Sequence, residues 1–292
     1  MNRFLIVFVM FLSSATIAAE SPFASLQAEL QPILEQASAK GLRLSVGVSD
    51  LSGAFGEQTL LLGSDTSYPP ASTIKLLLIA ALMHQVDAGR LALSDAVPVE
   101  PDDIVGGMGV LQNEAAPQLV SLQRLAELTI TVSDNTATNV LVDVVGYNTM
   151  AALARQLQLQ TMQFGRKMFE AAQPPEKDNI IDTRDSLQLL TQIYQSDFLS
   201  DSSRSQILTW MSAQTVKTKI GAGMPADAPV AHKTGENGPV SHDIGYLLIP
   251  GREVALAIFA ETSNTTDFGA AQAELNPVVA DIAGRIYQVM AR

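Results

Sequence analysis

The chain has 292 residues, 47% of them hydrophobic, and contains no cysteine. With 30 acidic against 18 basic residues its formal net charge is −12, which argues against nucleic acid and anionic membrane surfaces as partners. The missing cysteines exclude disulfides, thiolate metal sites and a cysteine nucleophile.

Residues 1–19 read as a cleavable secretory leader. Arg3 precedes an apolar run at 4–12, and small residues lead to Ala18 and Ala19. The alternative, an uncleaved membrane anchor, needs a longer apolar stretch than this one. Removing the leader takes away only Arg3. Export without disulfides suits a bacterial envelope protein, periplasmic or secreted, with no stable membrane anchor.

Beyond the leader, apolar spacing at Leu26, Leu30, Ile33 and Leu34 predicts a helix over 23–40, stopped at Gly41. Alternation predicts strands at 42–50 and near 59–62. Helical patterns then dominate, at 72–87, 121–131, 136–145, 149–157, 183–195 and 202–213. Strands return at 230–234, 244–249 and 254–260, and a last helix covers 269–289. The expectation is a mixed α+β fold, with an antiparallel sheet flanked by helices. Its sheet domain is discontinuous (20–66 and 214–292), and an all-α domain (67–213) is inserted. Sites commonly lie in the cleft between such lobes.

Three polar clusters fall near the joints. The first is Ser72-Thr73-Ile74-Lys75, ahead of the wholly apolar "LLLIAALM". As a plain helix start this would be a serine cap with an incidental lysine. A helix apolar on every side is buried, however, and a cation in its first turn opposes the helix dipole by about 0.3–1 kcal/mol. Burial and the positive helix end both favour the neutral amine, and a neutral amine one turn from a serine hydroxyl can take its proton. The second cluster is Ser133-Asp134-Asn135, between two apolar helices. It reads either as a helix cap or as a proton-shuttling hydroxyl beside an amide that meets a substrate carbonyl. The third is Lys233-Thr234-Gly235, at the end of a strand. It reads either as a surface lysine with a turn glycine, or as a cation and a hydroxyl for a substrate carboxylate beside a glycine that admits the ligand.

Taken in order and on these elements, S-x-x-K, S-D-N and K-T-G resemble the signature of class A β-lactamases and penicillin-binding proteins. "GVLQ" at 109–112, "ITVSDNTATNVLVDVVG" at 130–146 and "AHKTGENGPVSHDIGYL" at 231–247 are similar to class A sequence. The resemblance covers essentially the whole chain after the leader. It implies a cofactor-free serine hydrolase acting, as a monomer, on a small β-lactam or peptidoglycan-like molecule. Ser72 would be the nucleophile, Lys75 a candidate base, and Ser133 the relay to the leaving nitrogen. Backbone N–H groups of Ser72 and Glu236 would form the oxyanion hole, worth about 3–4 kcal/mol per donor. Lys233 and Thr234 would hold the substrate carboxylate, and Asn135 its side-chain amide. Lys219 stands where some class A enzymes carry a further carboxylate-binding cation; a solvated lysine is the other reading.

One departure matters. The E-x-x-L-N motif, whose glutamate activates the deacylating water in fast class A enzymes, is absent. The chain has "FGRKMFEAAQPPEKDNIIDTRD" instead, similar to the R-K-M-x-D/E variant of class A-like serine hydrolases. Glu170 is the acid nearest the required place, and the alternative for it is a loop carboxylate paired with Arg166 or Lys167. The expected activity is therefore β-lactam hydrolysis through an acyl-enzyme. A D-Ala-D-Ala peptidase or esterase, or a receptor that stays acylated, remains open beside it. Other chemistries lack their patterns: His84, His232 and His242 have no metal spacing, there is no G-x-S-x-G elbow, and "VGGMG" at 105–109 lacks a dinucleotide site's third glycine.

Overall fold

The computed structural model describes residues 21–195 and 197–292, so the expected leader lies outside the described residues. Helix α1 (Pro22–Ala39) starts where Ser21 accepts a hydrogen bond from the Ala24 N–H and Pro22 takes the first turn, which needs no donor there. Strands β1 (Leu42–Asp50) and β2 (Thr59–Leu62) follow. After the helical stretch come β5 (Val230–Glu236), β6 (Val240–Leu247), β7 (Val254–Thr262) and α9 (Phe268–Met290). The five strands make one antiparallel sheet in the order β2-β1-β7-β6-β5.

Alternation along β7 divides the core. Leu256, Ile258 and Ala260 face α1 and α9, where they join Leu26, Leu30, Leu275 and Ile282. Ala255, Ala257 and Phe259 face the other way, into the cluster built around α2 (Lys75–Asp87). Each large side chain so buried contributes about 1.5–3 kcal/mol.

Between β2 and β5 the chain is helical apart from a two-stranded ribbon, β3 (Ala96–Val99) with β4 (Gln118–Ser121). The helices are α2, α3 (Leu122–Thr131), α4 (Asn135–Val145), α5 (Tyr147–Gln156), α6 (Thr183–Gln195), α7 (Asp201–Ser212) and the single turn α8 (Ile220–Gly223). Among the described residues no helix is long and apolar enough to cross a membrane.

Three local expectations shift. Residues 71–74 form a 3₁₀ turn, and Ile74, not Ser72, caps α2 without any side-chain hydrogen bond. Strand β6 begins at Val240, four residues earlier than expected, because its buried Ser241, His242 and Asp243 interrupt the apolar pattern. The ribbon β3–β4 is short and half exposed, and its pattern is too weak to mark a strand.

Candidate active site

Ser72 is held by backbone contacts on both sides. Ala71 has a φ of 46°, a left-handed conformation that costs a non-glycine residue about 1–3 kcal/mol. The Thr73 hydroxyl donates to the Pro70 carbonyl at 2.7 Å. From the sheet, His242 Nε2 donates to the Pro69 carbonyl (3.0 Å), and its Nδ1 accepts from the Ala260 N–H (3.2 Å). Burial pushes this imidazole's pKa down to about 3, so it is the neutral tautomer these two bonds require.

Gly235, opposite His242 in the β5–β6 ladder, is what lets the sheet reach the serine turn. A Cβ there would lie 2.8 Å from the Pro70 carbonyl oxygen and 3.0 Å from the Thr73 nitrogen. The glycine expected to admit a ligand thus admits the backbone on either side of Ser72.

Lys75, the first residue of α2, is completely buried. Its Nζ lies 2.8 Å from the Ser133 carbonyl oxygen, 2.8 Å from Asn135 Oδ1 and 3.2 Å from Ser133 Oγ. Burial holds its pKa well below the usual lysine range, and the neighbouring Lys233 pushes the same way against the pull of Asp134. A neutral amine has two N–H groups, and two of its three neighbours only accept. The third, the Ser133 hydroxyl, accepts from Nζ here and can also donate.

Ser133 stands at a φ of 56°, also left-handed. Its Oγ receives a second contact from Lys233 Nζ at 3.1 Å, and Lys233 also donates to the Thr234 carbonyl at 2.8 Å. Burial lowers the Lys233 pKa to about 7; Asp243 and Glu236 oppose the shift and Lys219 adds to it. A hydroxyl between two amines, each weakened as a base by burial, can pass a proton either way.

Asp134 holds this arrangement in register. One carboxylate oxygen accepts from the Ala137 N–H (2.9 Å) and caps α4. The other accepts from the N–H groups of Val110 (2.7 Å) and Leu111 (2.9 Å), fixing the 105–111 loop as a wall of the cleft. Gly109, at a φ of 114°, is required there, since a Cβ would lie 2.3 Å from that carboxylate. Asn135 donates from Nδ2 to the Gly106 carbonyl (3.1 Å) while Oδ1 serves Lys75. Its amide thus ties the Lys75 amine to the 105–111 loop.

Ser72 and Asn135 line a cleft of about 730 Å³ together with Glu170, Glu236 and Asn237, and Lys75, Ser133 and Lys233 lie buried behind that lining. The 163–180 loop closes one side. Asn139 accepts from the Met168 N–H (2.7 Å) and donates to its carbonyl (3.1 Å), pinning the loop to α4. Glu170 is exposed on the cleft rim. Arg166 pairs with Asp178 (2.5 Å) and Lys167 with Asp143 (2.6 Å), so the partners considered for Glu170 are taken by other acids. Lys219 is fully buried, unlike a solvated lysine, and pairs with Glu236 at the end of β5. Among the described residues no cluster has the make-up of a metal site.

Asn139, the hold of Asp134 on the 105–111 loop and the pairing of Lys219 with Glu236 were not anticipated from sequence. Asn139 had a usable signal, lying one helical turn after Asn135 on the same face. The other contacts join segments far apart in the chain and leave no periodic trace.

The family model of the Beta-lactamase enzyme family matches residues 25–290, and the chain belongs to that family. It is 29% identical to the extended-spectrum beta-lactamase PER-1 of Pseudomonas aeruginosa, over 94% of this chain and 90% of that one. It is also 29% identical to beta-lactamase AER-1 of Aeromonas hydrophila, over 66% and 65% of the two chains. Among solved structures, the beta-lactamase from Sphaerobacter thermophilus superposes with a TM-score of 0.81 at 26% identity, covering 91% of this chain and 98% of that one. A mutant of PBP-A, as its acyl-enzyme complex with penicillin G, gives 0.79 at 26% identity, covering 90% and 95%.

Proposed function

We propose that this protein is a serine β-lactamase that opens the lactam amide through an acyl-enzyme on Ser72. The observation that carries the reading is Ser133 Oγ lying 3.2 Å from Lys75 Nζ and 3.1 Å from Lys233 Nζ, two amines whose pKa burial lowers.

In acylation, Ser72 Oγ attacks the lactam carbonyl and its proton passes to the neutral Lys75. The tetrahedral oxyanion is met by the N–H groups of Ser72 and Glu236. The C–N bond then breaks, and the ring nitrogen takes a proton from Ser133, which Lys75 resupplies. Lys233 and Thr234 serve the ring carboxylate, and Asn135 serves the side-chain amide. In deacylation, Glu170 takes a proton from a water that attacks the ester, and that proton returns to the departing Ser72 oxygen as the opened product is released.

A slower reading, in which the protein turns over little after acylation, is favoured by one observation: Glu170 is exposed and makes no ion pair among the described residues. Sequence features at 1–19 support export to the periplasm or beyond. The test of the main reading is turnover of a chromogenic cephalosporin. Sustained hydrolysis, lost in Ser72→Ala, is expected; an unchanged rate in Ser72→Ala refutes the nucleophile.

A further inference from the structure

The mouth of the cleft carries an ion pair that the reaction as described leaves unused. Lys219 is fully buried just before α8, and its amine pairs with the carboxylate of Glu236. Glu236 ends β5 on the same face of the strand as Thr234, and it lines the cleft together with Ser72. Its side chain is 17% exposed while that of Lys219 is at 0%, so the carboxylate is the outer member of the pair.

A ligand entering over the end of β5 therefore meets an anion before it meets a cation. The positive charge of Lys219 is already balanced. What remains for a substrate carboxylate is Lys233, which burial leaves only half protonated near pH 7. A ligand that is purely anionic gains one partial partner here and faces one like charge. A ligand with a cation beside its carboxylate finds a partner for each.

We propose that Glu236 is a specificity-determining residue, whose carboxylate selects β-lactams that carry a positive charge next to the ring carboxylate over those that are only anionic. The inference rests on the β-lactam reading of the site. It assigns Glu236 a side-chain role separate from that of its backbone N–H.

Cephaloridine and cephalothin test it. They share the thienylacetyl side chain and the ring carboxylate, and differ at C3 in a pyridiniomethyl against an acetoxymethyl group. In the full protein, the ratio of their kcat/KM values should fall about tenfold in Glu236→Gln, equivalent to about 1.4 kcal/mol. The change should lie mainly in KM, and the wild-type preference should shrink in high salt.

The Glu236→Gln change leaves a buried cation without its partner. The double variant Lys219→Met/Glu236→Gln removes both charges and should show the same loss of preference. Because each ratio is taken on one preparation, any unfolded fraction cancels. A ratio unchanged within twofold in both variants, with both substrates still hydrolysed, overturns the inference and leaves the β-lactam reading standing. If the wild type neither opens nor is acylated by either compound, the β-lactam reading fails and the inference with it.

Discussion

Replacing Lys233 by Met should damage acylation while making the protein more stable at neutral pH. A lysine in water keeps its proton up to about 10.5, whereas burial lowers this side chain to about 7. At 1.36 kcal/mol per pH unit, that difference penalises the folded state by about 5 kcal/mol at pH 6, where the amine is charged in both states. Two hydrogen bonds, to Ser133 Oγ and the Thr234 carbonyl, offset part of it, by about 2–3 kcal/mol together. Methionine fills nearly the same volume with no charge to bury, so the variant should gain about 2 kcal/mol at pH 6. The sign of the pH dependence is fixed. Between about 7 and 10.5 the unfolded chain binds a proton that the folded one does not, so wild-type stability rises with pH there. The variant's advantage should therefore vanish by about pH 9. Urea unfolding of both proteins from pH 6 to pH 9.5 measures it. A variant less stable than wild type at pH 6, or a difference that does not vary with pH, refutes this account of the buried amine.

Four further outcomes follow from the same geometry. Since Lys233 is a cation below about pH 7 and neutral above, the KM of an anionic penicillin should rise as pH increases through 7, measured in steady-state assays. His242, held neutral with a pKa of about 3, refuses a proton that the unfolded chain takes near 6.5; stability should fall as pH drops below 6.5, by about 2 kcal/mol at pH 5. His242→Gln should flatten that slope in urea unfolding. Asp134→Ala removes the cap of α4 and strands the N–H groups of Val110 and Leu111; a loss of about 2–4 kcal/mol and a raised KM are expected, against a smaller loss for Asp134→Asn. Glu170→Gln should lower kcat by about 10²–10⁴-fold while leaving acylation intact, so stopped-flow traces should show a burst followed by a stall. An unchanged kcat would assign the deacylating water to another group.

Much of the site was legible because its chemistry violates local rules. Lys75 stood out as a cation in the first turn of an apolar helix, and it is buried against Ser133 and Asn135. Helices α3, α6 and α7 follow the apolar spacing within a residue or two, since each buries a single stripe. The start of β6 was misplaced because its buried polar residues are satisfied by partners far along the chain. His242 answers Pro69, 173 positions away, and Ser241 answers Asn276. Gly235 was expected to admit a ligand, whereas what approaches it is the Pro70–Thr73 backbone, a fact of tertiary packing. The positive φ of Ala71 and of Ser133 had no sequence signal, because neither residue is a type that favours it. Glu170 was located by counting along the loop. Its exposure and the diversion of Arg166 and Lys167 to other acids emerge only once the loop is closed by Asn139.

The central claim is that Ser72 is acylated with its proton passing to a buried neutral amine. The most direct measurement is quenched-flow intact mass of wild type and Ser72→Ala mixed with benzylpenicillin, with peptide mapping of the adduct. A one-to-one adduct on the peptide carrying Ser72, formed early, decaying in wild type and absent from Ser72→Ala, is the expected result. An adduct elsewhere, or one that persists in Ser72→Ala, contradicts the account.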